Sequence, residues 1–426
     1  MPKPLDMELL APAGGPEQLR AALLFGADAV YLAGKQFGMR ARAANFSEKE
    51  LSEAIVYAQS LNKRVYVTVN IVMNPRDMKI LPAYLASLNE AGVDAFIIGD
   101  LGAASLARSV APRVDIHVST QASVSNAQAA WVWHEAVGAT RVVAARELSL
   151  EDLSLMKQDM PSGMQLECFV HGAMCMAVSG RCLISSYLTG RSGNRGHCTQ
   201  PCRWNYTLEE EKRPGMHFPI EEDERGSYIL NAKDLNMLAH LDKLASAGID
   251  SIKIEGRNKK AFYVASVVNA YRHVLDGEDP SIWEEELLRV SHRPYSTGFY
   301  FGKGEQAQDY DGYEQDSMHV ADVVSCEQVG EGRYRIGMRC RNHFDEGETL
   351  EVLSPLHPIC SAIVEKLTWQ PEEEFSPDVA YFGEQGVSCA NRSCNLYYCE
   401  ANLPFSLPAG SFLRNAVHRR SARHDD

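Results

Sequence analysis

The chain has no run of residues that could cross a bilayer. Hydrophobic residues make up 45% of its 426 residues, yet no window approaches the roughly 18 unbroken apolar positions that a spanning helix needs. Its opening, MPKPLDMELLAPAGG, lacks a basic segment feeding an apolar one, so no secretory signal and a cytoplasmic location are the expectation. Positive charge is not in excess. At a net charge of −14 the overall field repels nucleic acid, and a partner of that class needs a local basic site. The phosphate-binding GxGxxG of doubly wound sheets is missing, AGG after the first apolar run being a poor match. There is no GxSxG nucleophile elbow and no HExxH zinc helix. Charged residues at 23% alongside this apolar content exclude a disordered chain or a coiled coil.

One phrase recurs. Gly26-Ala27-Asp28 precedes AVYLAG, Gly92-Val93-Asp94 precedes AFIIGD, Gly138-Ala139-Thr140 precedes RVVAAR, and Gly248-Ile249-Asp250 precedes SIKIEG. A glycine that ends a helix at positive φ, followed by a turn into a strand, explains each. The strands are continuous apolar runs, which indicates cover on both faces. Eight are legible, starting at Glu8, Ala29, Arg64, Ala95, Asp115, Arg141, Leu166 and Ser251. Their number and spacing predict an α/β fold, a (β/α)8 TIM-like barrel over residues 1–278, with a doubly wound open sheet as the alternative. Between strands seven and eight lie a cysteine-rich loop, 173–205, and an acidic insertion, 206–226. Residues 279–318 read as a linker with one helix. From 319 to 426, short alternating runs predict a small β-barrel or sandwich domain.

In such a barrel the working residues sit at the C-terminal ends of the strands. Those ends carry Asn70, Asp100, His117, Ser119, Thr120, Gln121, Arg146, Glu147, Glu167, His171, Lys253, Glu255 and Arg257. Buried polar groups are costly unless paired, so a set this dense on apolar strands points to a site. Arg146, Lys253 and Arg257, with Gln121 and Asn70, are candidates to bind an anionic substrate. His117, His171 and Glu255 are candidates for proton transfer. The plainer alternative has Arg146 and Arg257 pair with Glu147 and Glu255 and only hold the barrel together.

Cysteine is plentiful, with 11 in the chain. In a reducing compartment that argues against a disulfide framework. Cys175, Cys182, Cys198 and Cys202 crowd a Gly-rich stretch of 28 residues. Four thiolates there suit zinc or a 4Fe-4S cluster, and the absence of paired CxxC spacing favours iron–sulfur. Cys168, Cys389, Cys394 and Cys399 read as core or chance. From Ala173 to Asn205 the chain has Arg181, Arg191, Arg195, Arg203 and His197 but no Asp, Glu or Lys. This local reversal of sign marks Arg191, Arg195 and Arg203 as candidate RNA contacts, with Tyr187, Trp204 and Tyr206 able to stack on bases. The alternative is that these arginines pair with barrel carboxylates.

ECFVHGAMCMAVSGRCLISSYLTG resembles the signature block of the U-32 peptidase family, the collagenase-like proteases. APAGGPEQLRAALLFGADAVYLAG, IHVSTQA, RVVAARELS and KIEGR are similar to that family's other blocks, in the same order. The resemblance runs from about Glu8 to Asp276, and the C-terminal β domain is similar to the family's usual extension. FVHGAMCMAVSGRC followed by CTQPCRW, and YILNAKDL followed by SIKIEGR, most resemble the members that hydroxylate tRNA. That likeness implies prephenate-dependent conversion of the wobble uridine to 5-hydroxyuridine. It also implies tRNA and prephenate as partners, an electron donor or accessory protein beside them, and a 4Fe-4S cluster on Cys175, Cys182, Cys198 and Cys202. The acidic run after Trp204 departs from the family pattern. The alternative is a U-32 peptidase, which needs a nucleophile beside a base. His117 or His171 could serve as base and Ser119 or Cys175 as nucleophile. A four-thiolate zinc would leave no open position for hydrolysis.

Overall fold

The computed structural model describes residues 4–39, 44–174, 182, 184–201, 204, 207–209, 217–219, 233–302, 304, 314–355, 357–370 and 385–416. The chain forms two compact units. One holds the barrel and includes the segment that starts at His292; the other holds the C-terminal sheet with Leu24–Gly26 and Glu285–Ser291. The stretch 279–318 is therefore shared between them.

All eight expected strands form. They are β1 (Glu8–Pro12), β2 (Ala29–Leu32), β3 (Arg64–Val69), β4 (Ala95–Ile98), β5 (Asp115–Val118), β6 (Arg141–Val143), β7 (Gln165–Ala173) and, after the insertion, β11 (Ser251–Ile254). Each pairs in parallel with the next, and β11 pairs with both β7 and β1, so the sheet closes. The closed order settles the fold as a (β/α)8 barrel rather than an open sheet. Helices alternate with the strands for reasons local to the sequence. Ser47 and Ser149 make reciprocal capping boxes with Glu50 and Asp152, and Asp100 and Asn126 cap two further helices through their side chains. Gly26, Gly92, Gly138 and Gly248 all have positive φ, as the recurring phrase requires.

The insertion adds a short ribbon, β8 (Thr207–Glu209) with β9 (His217–Pro219). It also adds β10 (Asp234–Asn236), which runs antiparallel to the end of β7, and β12 (Tyr295–Ser296) pairs with β10. The sequence marked YILNAKDL only as the return to the barrel; the strand at its end, Asp234–Asn236, pairs with β7.

The second unit is antiparallel. It contains β13 (Ser317–Gly330), β14 (Arg333–Cys340), β15 (Phe344–Asp345), β16 (Thr349–Leu353), β17 (Cys360–Ile363), β18 (Glu365–Gln370), β19 (Gln385–Gly386), β20 (Cys389–Ala390), β21 (Leu396–Asn402) and β22 (Phe412–Ala416). Eight make one sheet, ordered β17-β16-β22-β13-β14-β21-β18-β19, and β15 pairs with β20 in a separate ribbon. Val320, Ile336, Met338, Leu350, Tyr397 and Leu413 are among its core residues. Arg414 is buried there and holds both carboxylate oxygens of Glu286 at 2.8 and 2.6 Å. Among the described residues, no helix is long and apolar enough to cross a membrane.

Candidate active site

The barrel interior carries charge at two levels. The lower level is a closed network. Arg141 is 1% exposed and binds Glu8, Glu167 at 3.0 Å and Gln165 at 2.7 and 3.0 Å. The other oxygen of Glu167 takes Lys253 Nζ at 2.9 Å, and Tyr66 donates to Glu8 at 2.8 Å. His117 sits at this level, its ring edge-on to Tyr66 at 4.6 Å. Burial first, then Arg141 and Lys253, push its pKa well below the ordinary histidine value, so the imidazole is neutral. Its Nδ1 is buried with no hydrogen-bond partner among the described residues.

The upper level opens into a cavity. Tyr31, Met39, Thr68, Asn70, Ile97, Ser119, Thr120, Gln121, Val143, Arg146, Phe169, Lys253, Glu255 and Arg257 line it. All five expected substrate-binding residues therefore meet in one place, with Glu255 of the three expected proton-transfer residues. Arg257 is buried and donates to Thr68 Oγ1 at 3.1 Å and to Asn45 Oδ1. Arg146 sits over the Phe169 ring, its Cζ 3.8 Å from the ring centre, donates to the Ala173 carbonyl at 3.0 Å and faces Glu255 at 3.5 Å. Lys253 lies over Tyr31, 4.5 Å from the ring centre. Asn70 Oδ1 accepts from the Met39 amide at 3.3 Å. Three cations and one carboxylate on these walls favour an anion. Of the arginine–glutamate pairing expected as the alternative, the Arg146–Glu255 contact is seen, at the long distance of 3.5 Å.

Two glycines of the sequence blocks explain how the walls come together. A side chain on Gly14 would place Cβ 2.0 Å from the Arg257 carbonyl oxygen. Gly172 has φ +97°, and a Cβ there would lie 2.5 Å from the Glu255 carbonyl oxygen. Only glycine lets the β1 and β7 ends approach the KIEGR segment so closely.

Behind Arg146 and Phe169, which line both, lies a second cavity walled by Ala144, Ala145, Cys168, Met174, Leu235, Gly298, Phe299 and Tyr300. It is apolar apart from Arg146, the Tyr300 hydroxyl and the Cys168 thiol, whose pKa burial pushes up to about 12. That thiol is an inert neighbour rather than a nucleophile.

His171 lies outside both cavities. The β7–β11 register slips between Lys253 and Ile254, so that Lys253 opposes Phe169 while Ile254 opposes His171. Such a bulge re-aims the side chains beyond it. His171 turns among Tyr263, Tyr271 and Tyr295, with ring centres 5.4–6.1 Å away. Burial, helped by Lys259 and His292, pushes its pKa down to about 3. His117 is separated for another reason: alternation along β5 places it one layer below Ser119, which does line the cavity. The structure thus leaves Glu255 as the proton-transfer candidate within reach of a ligand in the mouth. Tyr31 and Phe169 on the wall, and Asn45 behind Arg257, are not among the expected site residues, and their place is visible only in the fold.

In the cysteine-rich loop, Cys182 and Cys198 are described; Cys175, Cys202, Arg181, Arg203 and Tyr206 lie outside the described residues. Both described cysteines are half-buried. The Cys182 amide binds Asn194 Oδ1 at 3.1 Å, and the Gln200 amide points at Cys198 Sγ at 3.4 Å. An amide aimed at sulfur suits a thiolate ligand, so Cys198 fits a metal or cluster site in this respect. Ser185 ties the loop together, donating to the Arg191 carbonyl at 2.7 Å and accepting from the Thr199 amide at 3.1 Å. Arg195 grips Asp77 through both carboxylate oxygens at 2.7 and 3.1 Å and also binds the Val72 carbonyl. It has the carboxylate partner that the plainer alternative expected. Arg191 and His197 are exposed, and Trp204 is half-exposed.

The model of Peptidase family U32 matches residues 14–309. The chain belongs to this family. Among its U32 relatives, the tRNA hydroxylation protein P1 of Bacillus subtilis strain 168 is 37% identical over 363 residues, covering 82% of this chain and 83% of that protein. The tRNA hydroxylation protein P of Helicobacter pylori strain 26695 is 36% identical over 427 residues, covering 97% of this chain and 99% of the relative. A protein named collagenase, from Porphyromonas gingivalis strain W83, is 34% identical over 316 residues, covering 70% of this chain and 74% of its own length.

Proposed function

We propose that this U32 protein is an RNA-modifying enzyme that hydroxylates the wobble uridine of tRNA to 5-hydroxyuridine, with prephenate as co-substrate. The observation that carries this reading is the cationic mouth of the barrel, where a carboxylate ligand would find Arg146 and Arg257 on one cavity wall. The guanidinium of Arg146 presents a planar fork to one carboxylate, and Phe169 beneath it keeps that plane fixed. Arg257 supplies further positive charge, and Asn70 and Gln121 neutral polar groups. Glu255 is placed to exchange a proton with a ligand in the mouth. The relatives named as tRNA hydroxylation proteins support the class of reaction and of RNA.

A 4Fe-4S cluster on Cys175, Cys182, Cys198 and Cys202 would supply electron transfer or Lewis acidity. Exposed Arg191, with Arg203, would meet the phosphates of the tRNA. An electron donor or accessory protein would complete the system.

The peptidase reading is favoured by the collagenase relative. The mouth is poorly built for it. Ser119 Oγ accepts from the Gln121 amide at 3.3 Å and Thr120 Oγ1 donates to the Ala144 carbonyl at 3.0 Å. No histidine is among the residues lining the cavity, and in these contacts neither hydroxyl is hydrogen-bonded to a base.

Nucleoside analysis of bulk tRNA separates the two. A deletion strain should lack 5-hydroxyuridine, and the wild-type gene should restore it. Unchanged tRNA together with lost proteolysis would turn the assignment to a peptidase. Protein purified without oxygen should contain iron and acid-labile sulfide in near-equal amounts, and stoichiometric zinc with no sulfide would remove the cluster from the proposal.

A further inference from the structure

We propose that the β15–β20 ribbon of the second unit carries a zinc-type divalent metal site held by His343, Asp345 and Cys389. Directly opposed residues of an antiparallel pair share a face. Phe344 opposes Ala390, and Asp345 opposes Cys389. Phe344 and Ala390 are buried in the core of the unit, so alternation turns Asp345 and Cys389 outward together. His343, two residues before Asp345, joins them. One ligand atom from each, an imidazole nitrogen, a carboxylate oxygen and the Cys389 sulfur, lies within 4.8 Å of the other two, and His343 Nε2 is 3.4 Å from Asp345 Oδ1. Ligands at about 2.0–2.3 Å from a tetrahedral ion stand roughly 3.5 Å from one another. Small rotations of exposed side chains close the difference.

The main chain holds the donors in place. The Glu346 amide binds the Ser388 carbonyl at 2.9 Å, the Asp345 amide binds Glu348 Oε2 at 2.9 Å, and the Gly347 amide binds the Val364 carbonyl at 2.7 Å. Their chemistry selects the ion. A thiolate with an imidazole disfavours magnesium and calcium, and one nitrogen, one oxygen and one sulfur suit zinc. Three protein ligands leave a fourth position open to water or to a group from another molecule. The site is independent of the barrel chemistry and stands whether or not tRNA is the substrate.

The test uses the full chain with Cys175, Cys182, Cys198 and Cys202 all changed to Ala, so that loop thiolates cannot contribute. After chelator treatment the protein is titrated with Co2+. We expect about one equivalent bound, with a cobalt–thiolate charge-transfer band that Zn2+ abolishes. Cys389→Ser should remove the band, and His343→Ala or Asp345→Asn should weaken Co2+ binding at least tenfold, all without a change in metal-free melting temperature. No cobalt–thiolate band, or a band that survives Cys389→Ser, overturns the site. If the four-alanine chain does not fold, the otherwise unaltered chain serves. Its zinc content after loading should then fall by one equivalent in Cys389→Ser, and an unchanged content overturns the site equally.

Discussion

The two charged levels of the barrel interior are finished differently. In the lower one, Arg141, Glu8, Glu167 and Lys253 are buried and partnered with one another. In the upper one, Arg146 and Arg257 are fixed by a carbonyl, a ring face and neutral side chains, and their charge faces a cavity. The same residue type thus does opposite work two layers apart. A cation matched to buried carboxylates holds strands together; a cation on the wall of the cavity is available to a ligand. Lys253 belongs to both levels, with its ammonium paired below and its flank on the cavity.

The comparison predicts opposite mutational signatures. The largest effect is expected at Arg141→Met, which removes the buried cation that Glu8 and Glu167 share and leaves them only Arg64 and Lys253. Breaking a buried pair in this way costs about 3–5 kcal/mol, to be read as a lowered urea midpoint. A loss below about 1 kcal/mol would mean that the lower level is not the structural one.

Next comes Arg146→Lys. Lysine keeps the charge and loses the fork, so the prephenate needed for half-maximal hydroxylation should rise at least tenfold, equivalent to about 1.4 kcal/mol, with the urea midpoint nearly unmoved. A variant that instead unfolds with an unchanged prephenate requirement would place Arg146 with the structural cations.

A third effect depends on pH. Folded His171 resists protonation down to about pH 3, whereas the unfolded chain takes up that proton near 6.5. Between these values the unfolded state binds more protons. Stability is therefore complete above about pH 6.5 and falls as pH drops toward 3, by up to about 1.4 kcal/mol per pH unit for this residue. His117 adds to the slope in the same direction. His171→Phe, which keeps a ring among the tyrosines, should flatten the decline seen by chemical denaturation at pH 7 and pH 5. An unaltered slope would show that His171 is not buried neutral.

The smallest effect separates two arginines of one loop. Arg195 is engaged with Asp77 near the surface, so Arg195→Ala should cost at most about 1 kcal/mol and leave the salt dependence of tRNA binding as it was. Arg191→Ala should lower the log–log slope of affinity against salt by about 0.7–0.9. Equal slopes in both variants would remove Arg191 from the RNA footprint.

Much of this protein is local and so legible in the residues alone. Apolar runs, four of them preceded by glycine stops, mark the eight barrel strands, because strand burial and helix termination are short-range properties of the chain. The cationic strand ends, Arg146, Lys253 and Arg257, follow from position along those strands, and they do meet in the mouth. What the sequence could not determine are relations of register and of long-range pairing. His171 looks like a mouth residue until the slip against β11 turns it away, and His117 until the layering of β5 places it below. Glu8 and Arg141, 133 residues apart, become a pair only when the sheet closes. Cys389 looks like a stray thiol until β15 and β20 set it opposite Asp345 and beside His343. Periodicity is written in neighbouring residues, but the direction of a side chain after a bulge and the partner across a closed sheet depend on contacts that exist only once the chain has folded.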